Sequence, residues 1–160
     1  MPLRHIAVSK LSIHIFVQGK KSFLHETKNY YMAKLTQEEL LAIFDAVKKE
    51  VAAYEKGTIK ARMDAEGKYD LWNEKPVEAF GRKYPAMFFA SAMVKSDYVG
   101  FYFMPVYSNE EIKDVFHPDL LKCLKGKSCF HIKTTDKELM KHIKTALKAG
   151  YAQYKKNGWV

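Results

Sequence analysis

Cys129 and His131 bring a nucleophile and a base close together in the sequence. They lie two positions apart in a segment that predicts a β-strand, so their side chains share a face and a thiol and an imidazole can couple. The sequence places neither a carboxylate nor a helix N-terminus beside them to lower the thiol pKa. The pattern therefore favours an inert, half-buried cysteine and a hydrogen-bonded histidine over Cys/His-dependent catalysis.

The same two residues are candidate metal ligands. Transition-metal sites usually require three or four ligands, and this pair supplies two. His117 or Cys123 would have to provide the remainder. Metal handling is therefore a second functional hypothesis, which depends on these side chains meeting in the fold.

A third group of residues is predicted to share one face of a sheet. Residues 98–104 are rich in aromatic residues and read as a central strand, in which alternation puts Phe101 and Phe103 on the core face. If residues 128–133 form the neighbouring strand, the opposite face is aromatic and basic, with a gap at Gly100 that could admit a ligand or accommodate a neighbouring side chain. The alternative is a face covered by a helix or a dimer contact. The predicted ligand-binding residues are Tyr98, Gly100, Tyr102, Met104, Cys129, His131 and Lys133.

A basic stripe is predicted on the last helix. At 100° per residue its lysines fall within about 60° of one another, so the stripe could track phosphates or simply be the solvated face of the helix. The formal charge of the chain is +9, but residues 1–31 hold five Lys or Arg and one Glu, which leaves +5 for the rest. This mild excess does not by itself indicate nucleic acid. The stripe consists of Lys137, Lys141, Lys144, Lys148 and Lys155.

Capping boxes and hydrophobic periodicity predict the elements that must position these residues. Thr36–Glu39 begins a helix over about 37–56, and similar boxes at Ser108–Glu111 and Thr135–Glu138 begin two others, the last running to about 156. Alternating segments joined by short turns fill most of 58–104, which is typical of antiparallel strands. We predict an α+β fold with two layers, in which long N- and C-terminal helices pack on an antiparallel sheet of five or six strands.

Composition indicates one packed domain in a reducing compartment. The chain has 160 residues, of which 48% are hydrophobic, and its two cysteines form no disulfide framework. It contains no apolar run of the roughly 18 residues that a membrane helix needs. We expect a cytoplasmic domain over 32–160 with no cofactor. Residues 1–31 fit no element well and read as an irregular basic leader or an upstream extension.

Three motifs resemble the YdhG-like family of small uncharacterised bacterial proteins. They lie at 98–107, 124–133 and 150–159, and the resemblance covers about 32–160. It implies a two-layer α+β fold with an antiparallel sheet and no assigned enzymatic activity. Some relatives have been proposed as frataxin-like iron chaperones, which rely on an acidic helix ridge, whereas helix 37–56 here mixes glutamates with lysines.

These observations give three hypotheses of different classes. The first is a non-catalytic binding domain, whose aromatic and basic sheet face takes a small anionic ligand or an acidic partner protein. The second is metal handling, and the third is a Cys/His-dependent enzyme. Neither a membrane nor a nucleic-acid partner is expected.

Overall fold

The first helix begins at the capping box that the sequence predicts. In the computed structural model, which describes residues 34–160, the Glu39 amide donates to Thr36 Oγ1 at 3.2 Å and the Thr36 amide donates to Glu39 Oε2 at 2.8 Å. Helix α1 spans Gln37–Ala52 and buries one stripe that includes Phe44 and Val47. The predicted leader over 1–31 lies outside the described residues.

The strands form one large antiparallel sheet and a separate hairpin. The strands are β1 (Ile59–Ala65), β2 (Lys68–Asn73), β3 (Val77–Ala79), β4 (Arg82–Tyr84), β5 (Met87–Val94), β6 (Val99–Phe103), β7 (Leu124–Lys125) and β8 (Cys129–Ile132). The order in the large sheet is β1-β2-β5-β6-β8-β7, every neighbouring pair is antiparallel, and β3 pairs with β4 alone. The prediction of an α+β fold with an antiparallel sheet of five or six strands is confirmed, and the sheet has six. The other helices are α2 (Met104–Ser108), a 3-10 turn (Glu110–Val115), α3 (Pro118–Cys123) and α4 (Lys137–Lys156).

The hydrophobic core lies between the sheet and its helices. Phe101, Phe103 and Phe130 are fully buried on the sheet face that meets α1 and α4, which we call the inner face. Tyr154 of α4 is also fully buried, and its hydroxyl donates to the Phe88 carbonyl at 2.6 Å. The predicted core face of β6 is therefore confirmed.

A β-bulge in β5 changes which aromatic residues reach each face. Leu71 pairs with Ala90 and Trp72 with Phe88, so Phe89 is an extra residue in the ladder. Phe89 points inward, with its ring 5.1 Å from that of Tyr154, and Phe88 points outward. Strict alternation puts Phe88 on the same face as Ala90 and puts Phe89 on the face of Ser91. The structure reverses both aromatic residues because a bulge shifts the period by one residue.

Strand β6 ends one residue earlier than predicted. Met104 begins α2 instead of extending the strand, and Pro105 occupies the first turn, where its missing N–H costs no hydrogen bond. Met104 packs against the core. It therefore does not belong to the predicted binding surface.

Two predicted capping boxes are replaced by single caps at neighbouring residues. Asn109 Oδ1 accepts the Glu111 amide at 3.1 Å, and Asp136 Oδ1 accepts the Leu139 amide at 2.8 Å. Asp and Asn compete effectively for this position with the Ser and Thr that precede them. Helix α4 keeps the predicted lysine stripe exposed.

Candidate functional site

The sheet surface opposite α1 and α4, which we call the outer face, collects side chains from at least four strands. The helices of residues 34–160 pack on the inner face. Cross-strand pairing aligns the outward residues in rows, since directly opposed residues point to the same side. One row contains Asp70, Ser91, Tyr102 and Cys129, and the next contains Met93, Gly100 and His131.

Five of the seven predicted ligand-binding residues come together on this face. Gly100 pairs with His131 and Tyr102 with Cys129. The ring of Tyr98 stacks on His131, with centroids 3.6 Å apart and planes 10° apart. The two rings therefore lie face to face, and each covers one face of the other. Strand adjacency, which the sequence argument assumed, is thus present.

Lys133 lies near His131 of the outer face and is engaged in an ion pair. Its Nζ lies 3.0 Å from Asp97 Oδ2, so its charge is partly neutralised by an ion pair. It also lines a depression of about 220 Å³ beside Glu39 of α1. Lys133 is still close enough to His131 to help lower the pKa of that imidazole. Met104 is the predicted site residue that the fold removes from the outer face.

The gap predicted at Gly100 is filled from within the same strand. A Cβ at Gly100 would lie 2.7 Å from Cε2 of Tyr102. The Tyr102 ring therefore folds back over Gly100, and the glycine permits this close approach. Of the two alternatives for this gap, a ligand or a neighbouring side chain, the structure shows the side chain. Because Gly100 has no side chain, the ring of Tyr102 can lie along the sheet above it.

Burial sets the protonation states on the outer face. It raises the pKa of the Cys129 thiol, although the hydrogen bond with Tyr102 and the charge of Lys95 oppose the shift. Burial and the neighbouring Cys129 raise the pKa of Tyr102 to about 12. Burial, aided by Lys125, lowers the pKa of His131 despite Asp97. At neutral pH these directions favour a protonated thiol and a neutral imidazole, which is unlike the thiolate of an activated nucleophile.

A second aromatic cluster, which was not predicted from the sequence, lies at the other end of the outer face. The rings of Trp72 and Phe88 meet edge to face at 5.4 Å, and the Arg62 guanidinium lies 4.5 Å from the Trp72 centroid. Arg62 also makes two hydrogen bonds to Glu74. The alternation of Trp72 with buried Leu71 signals its outward direction. Phe88 carried no such signal because the bulge inverts its face.

Two charged residues lie near the middle of the outer face. Lys95 Nζ is 5.7 Å from the centroid of the Tyr102 ring and 2.9 Å from Met93 Sδ. Asp70 Oδ1 is buried without a hydrogen-bond partner. A buried carboxylate oxygen in this state is costly and would be satisfied by a donor.

The metal hypothesis based on Cys129 and His131 fails in its predicted form. Within residues 34–160, one set of three His, Cys, Asp or Glu side chains is close enough to hold an ion, and it consists of His117, Asp119 and His142. Cys129 and His131 are not in this set. In the fold, His117 lies beside Asp119 and His142 instead.

Comparisons of the chain with protein-family models, curated proteins and solved structures return no match. The YdhG-like resemblance stays a prediction from sequence motifs. No helix within 34–160 combines the length and apolar character needed to cross a membrane.

Proposed function

We propose that this protein is a non-catalytic binding domain whose outer face takes a small anionic ligand. The observation that carries the proposal is the aromatic surface formed by Tyr98, Tyr102 and His131 on the sheet face opposite the helices. Half-buried aromatic rings on a sheet offer flat surfaces on which planar ligands can stack. The proposal includes a cytoplasmic location, in which Cys123 and Cys129 remain free thiols.

The charges near these rings favour an anion. Lys95 lies over the Tyr102 ring, and Lys125 is close enough to influence His131. Since His131 is favoured as neutral, lysines carry the positive charge at physiological pH. An anionic group placed beside Tyr102 would gain charge-assisted contacts from Lys95.

Asp70 indicates that the ligand also carries a hydrogen-bond donor outside its anionic group. Its buried Oδ1 lacks a donor and shares a row with Ser91 and Tyr102. A ligand that stacks on Tyr102 and extends across Ser91 could donate an N–H or O–H to this oxygen. We therefore favour ligands that combine a planar ring, a hydrogen-bond donor and a negative group.

Thermal shift at low salt tests the proposal. The ligand set comprises nucleoside monophosphates, aromatic carboxylates, inorganic phosphate and an acidic peptide. A ligand at about 100 times its Kd should raise Tm by about 5 to 10 °C. Tyr102→Leu and Lys95→Gln should reduce the shift, and so should added salt. The matched control is Lys148→Gln, which removes an exposed lysine from α4.

The variants separate the outer face from general anion binding. Equal shifts in Lys95→Gln and Lys148→Gln would contradict the proposal, as would the absence of any shift across the set. A shift with the acidic peptide alone would replace the small ligand with an acidic protein as the partner.

A further inference from the structure

We propose that His117, Asp119 and His142 form a binding site for a divalent transition-metal ion. One ligand atom from each side chain lies within 4.8 Å of the other two. The two imidazole rings stack with centroids 3.8 Å apart and planes 8° apart. To bind one ion the rings must rotate out of this stack, so that a nitrogen lone pair of each ring and a carboxylate oxygen of Asp119 face one centre. This site is independent of the outer face and of the function proposed for it.

The contact between α3 and α4 brings these residues together. His117 caps the N-terminus of α3, Asp119 lies in its first turn, and His142 lies in the second turn of α4. His117 and Asp119 are exposed and His142 is half-buried. An ion could therefore enter from solvent and keep water at its remaining positions.

The ligand chemistry suits zinc and similar ions. Two imidazole nitrogens and one carboxylate oxygen are a common set for Zn²⁺ and for other first-row transition metals. Lys122 lowers the pKa of Asp119, and both histidines add to this effect, so the carboxylate is ionised at neutral pH. Mg²⁺ and Ca²⁺ prefer sites made of oxygen alone and should bind poorly.

The surroundings include both attraction and competition. Asp136 and Glu138 line the same depression of about 360 Å³ as Asp119 and His142. The charge of Asp136 favours a cation, whereas Glu138 is paired with Lys141 Nζ at 2.6 Å. Lys122 Nζ lies 2.7 Å from Asp119 Oδ1 and competes with the ion for the carboxylate. Removing this lysine should therefore strengthen metal binding.

Metal binding must also displace the cap of α3. The Asp119 amide donates to Nδ1 of His117 at 3.2 Å, which requires a free lone pair on Nδ1. If the ion binds Nδ1, it takes this lone pair. If it binds Nε2, the proton moves to Nδ1 and again removes the acceptor. His117→Asn therefore makes a sharp test, because asparagine is a strong N-cap and lacks the imidazole.

Calorimetric titration of the full chain with Zn²⁺ tests the site, and the visible absorption of Co²⁺ reports its coordination. We expect one ion at this site, with an affinity that falls at least about tenfold in His117→Asn and in His142→Gln. Lys122→Met should increase the affinity. The matched control is His131→Gln, which removes an imidazole from the outer face and should leave the affinity unchanged.

Several results would overturn the proposal. They are no binding of Zn²⁺ or Co²⁺, unchanged affinity in both His117→Asn and His142→Gln, or an equal loss in His131→Gln. Histidines at positions 5, 14 and 25 can add weaker sites, so the decisive component is the one that responds to Lys122→Met. Circular dichroism of each variant separates lost ligation from lost folding.

Discussion

At the level of single residues, burial and local contacts decide what the outer-face side chains can do. The Cys129 thiol is half-buried beside Tyr102, and its pKa is raised. The imidazole ring of the nearby His131 stacks on the ring of Tyr98, with the two centroids 3.6 Å apart. A thiol held in this way is a small hydrophobic group with a weak donor, which fits a binding surface better than a nucleophile.

Alkylation of Cys129 measures this state. In a Cys123→Ser background, iodoacetamide should modify Cys129 more slowly at about pH 8 than it modifies the urea-unfolded chain. The raised pKa means that the folded protein holds less thiolate, so the rate should rise mainly above the ordinary thiol range of about 8.5. A folded-state rate that levels off below about pH 8 would indicate an activated thiolate and support the Cys/His-dependent enzyme.

At the level of elements, two glycines allow close packing, one between a helix and its neighbours and the other within a single strand. Gly150 of α4 lies against β6 and α2, where a Cβ would be 2.3 Å from Cζ of Phe103 and 2.7 Å from Cγ of Pro105. Gly100 of β6 accommodates the ring of Tyr102. Phe103 is fully buried and cannot yield, whereas Tyr102 is half-buried and can swing away from the sheet.

The same substitution at both positions should therefore have unequal effects on the free energy of unfolding. In Gly150→Ala, overpacking should cost stability at the upper end of the usual range of roughly 1 to 3 kcal/mol. Alanine gains about 1 kcal/mol over glycine in helix propensity. The free energy of unfolding should therefore fall by about 2 kcal/mol. Gly100→Ala should cost less than about 1 kcal/mol, since a mobile ring relieves the contact and strands favour alanine over glycine. Urea denaturation measures the free energy of unfolding of both variants, provided that their m-values are unchanged. Equal losses of stability in the two variants would show that the Tyr102 ring cannot move away from position 100.

At the level of the whole molecule, the described residues form one hydrophobic core. Residues 34–160 lie within one compact unit, and the buried cluster joins α1, the inner face and α4. Trp159 completes this core near the C-terminus, where its indole Nε1 donates to the Glu78 carbonyl at 3.3 Å. One-sided packing places most of the hydrophobic stabilisation between the sheet and the helices.

A protein that begins at Lys34 should consequently unfold cooperatively. Its calorimetric and van't Hoff enthalpies should agree, as for other small domains. The control is a chain that also lacks α1, which should lose the transition because Phe44, Val47 and Val51 leave the core. Aggregation or a non-cooperative melt of the protein that begins at Lys34 would refute the prediction.

The sequence by itself determined features that depend on local spacing. Thr36 and Glu39 define the start of α1 because both partners of the capping box lie within one turn. The alternation in β6 assigns Phe101 and Phe103 to the core because successive strand residues point to opposite faces. The short connection between residues 94 and 98 predicted the hairpin of β5 and β6. Alternation placed Cys129 and His131 on one face of their strand, whereas the pairing of that strand with β6 was assumed and is shown only by the structure.

Only the tertiary structure decided features that depend on contacts between distant segments. The bulge at Phe89 arises in pairing with β2, and it reverses the faces that alternation assigns. The ring that covers Gly100 and the ion pair that draws Lys133 toward Asp97 depend on side-chain packing. His117 and His142 are separated by 25 positions and meet because α3 packs on α4. Spacing along a chain fixes the direction of a side chain within one element, whereas its neighbours across elements depend on how the layers pack.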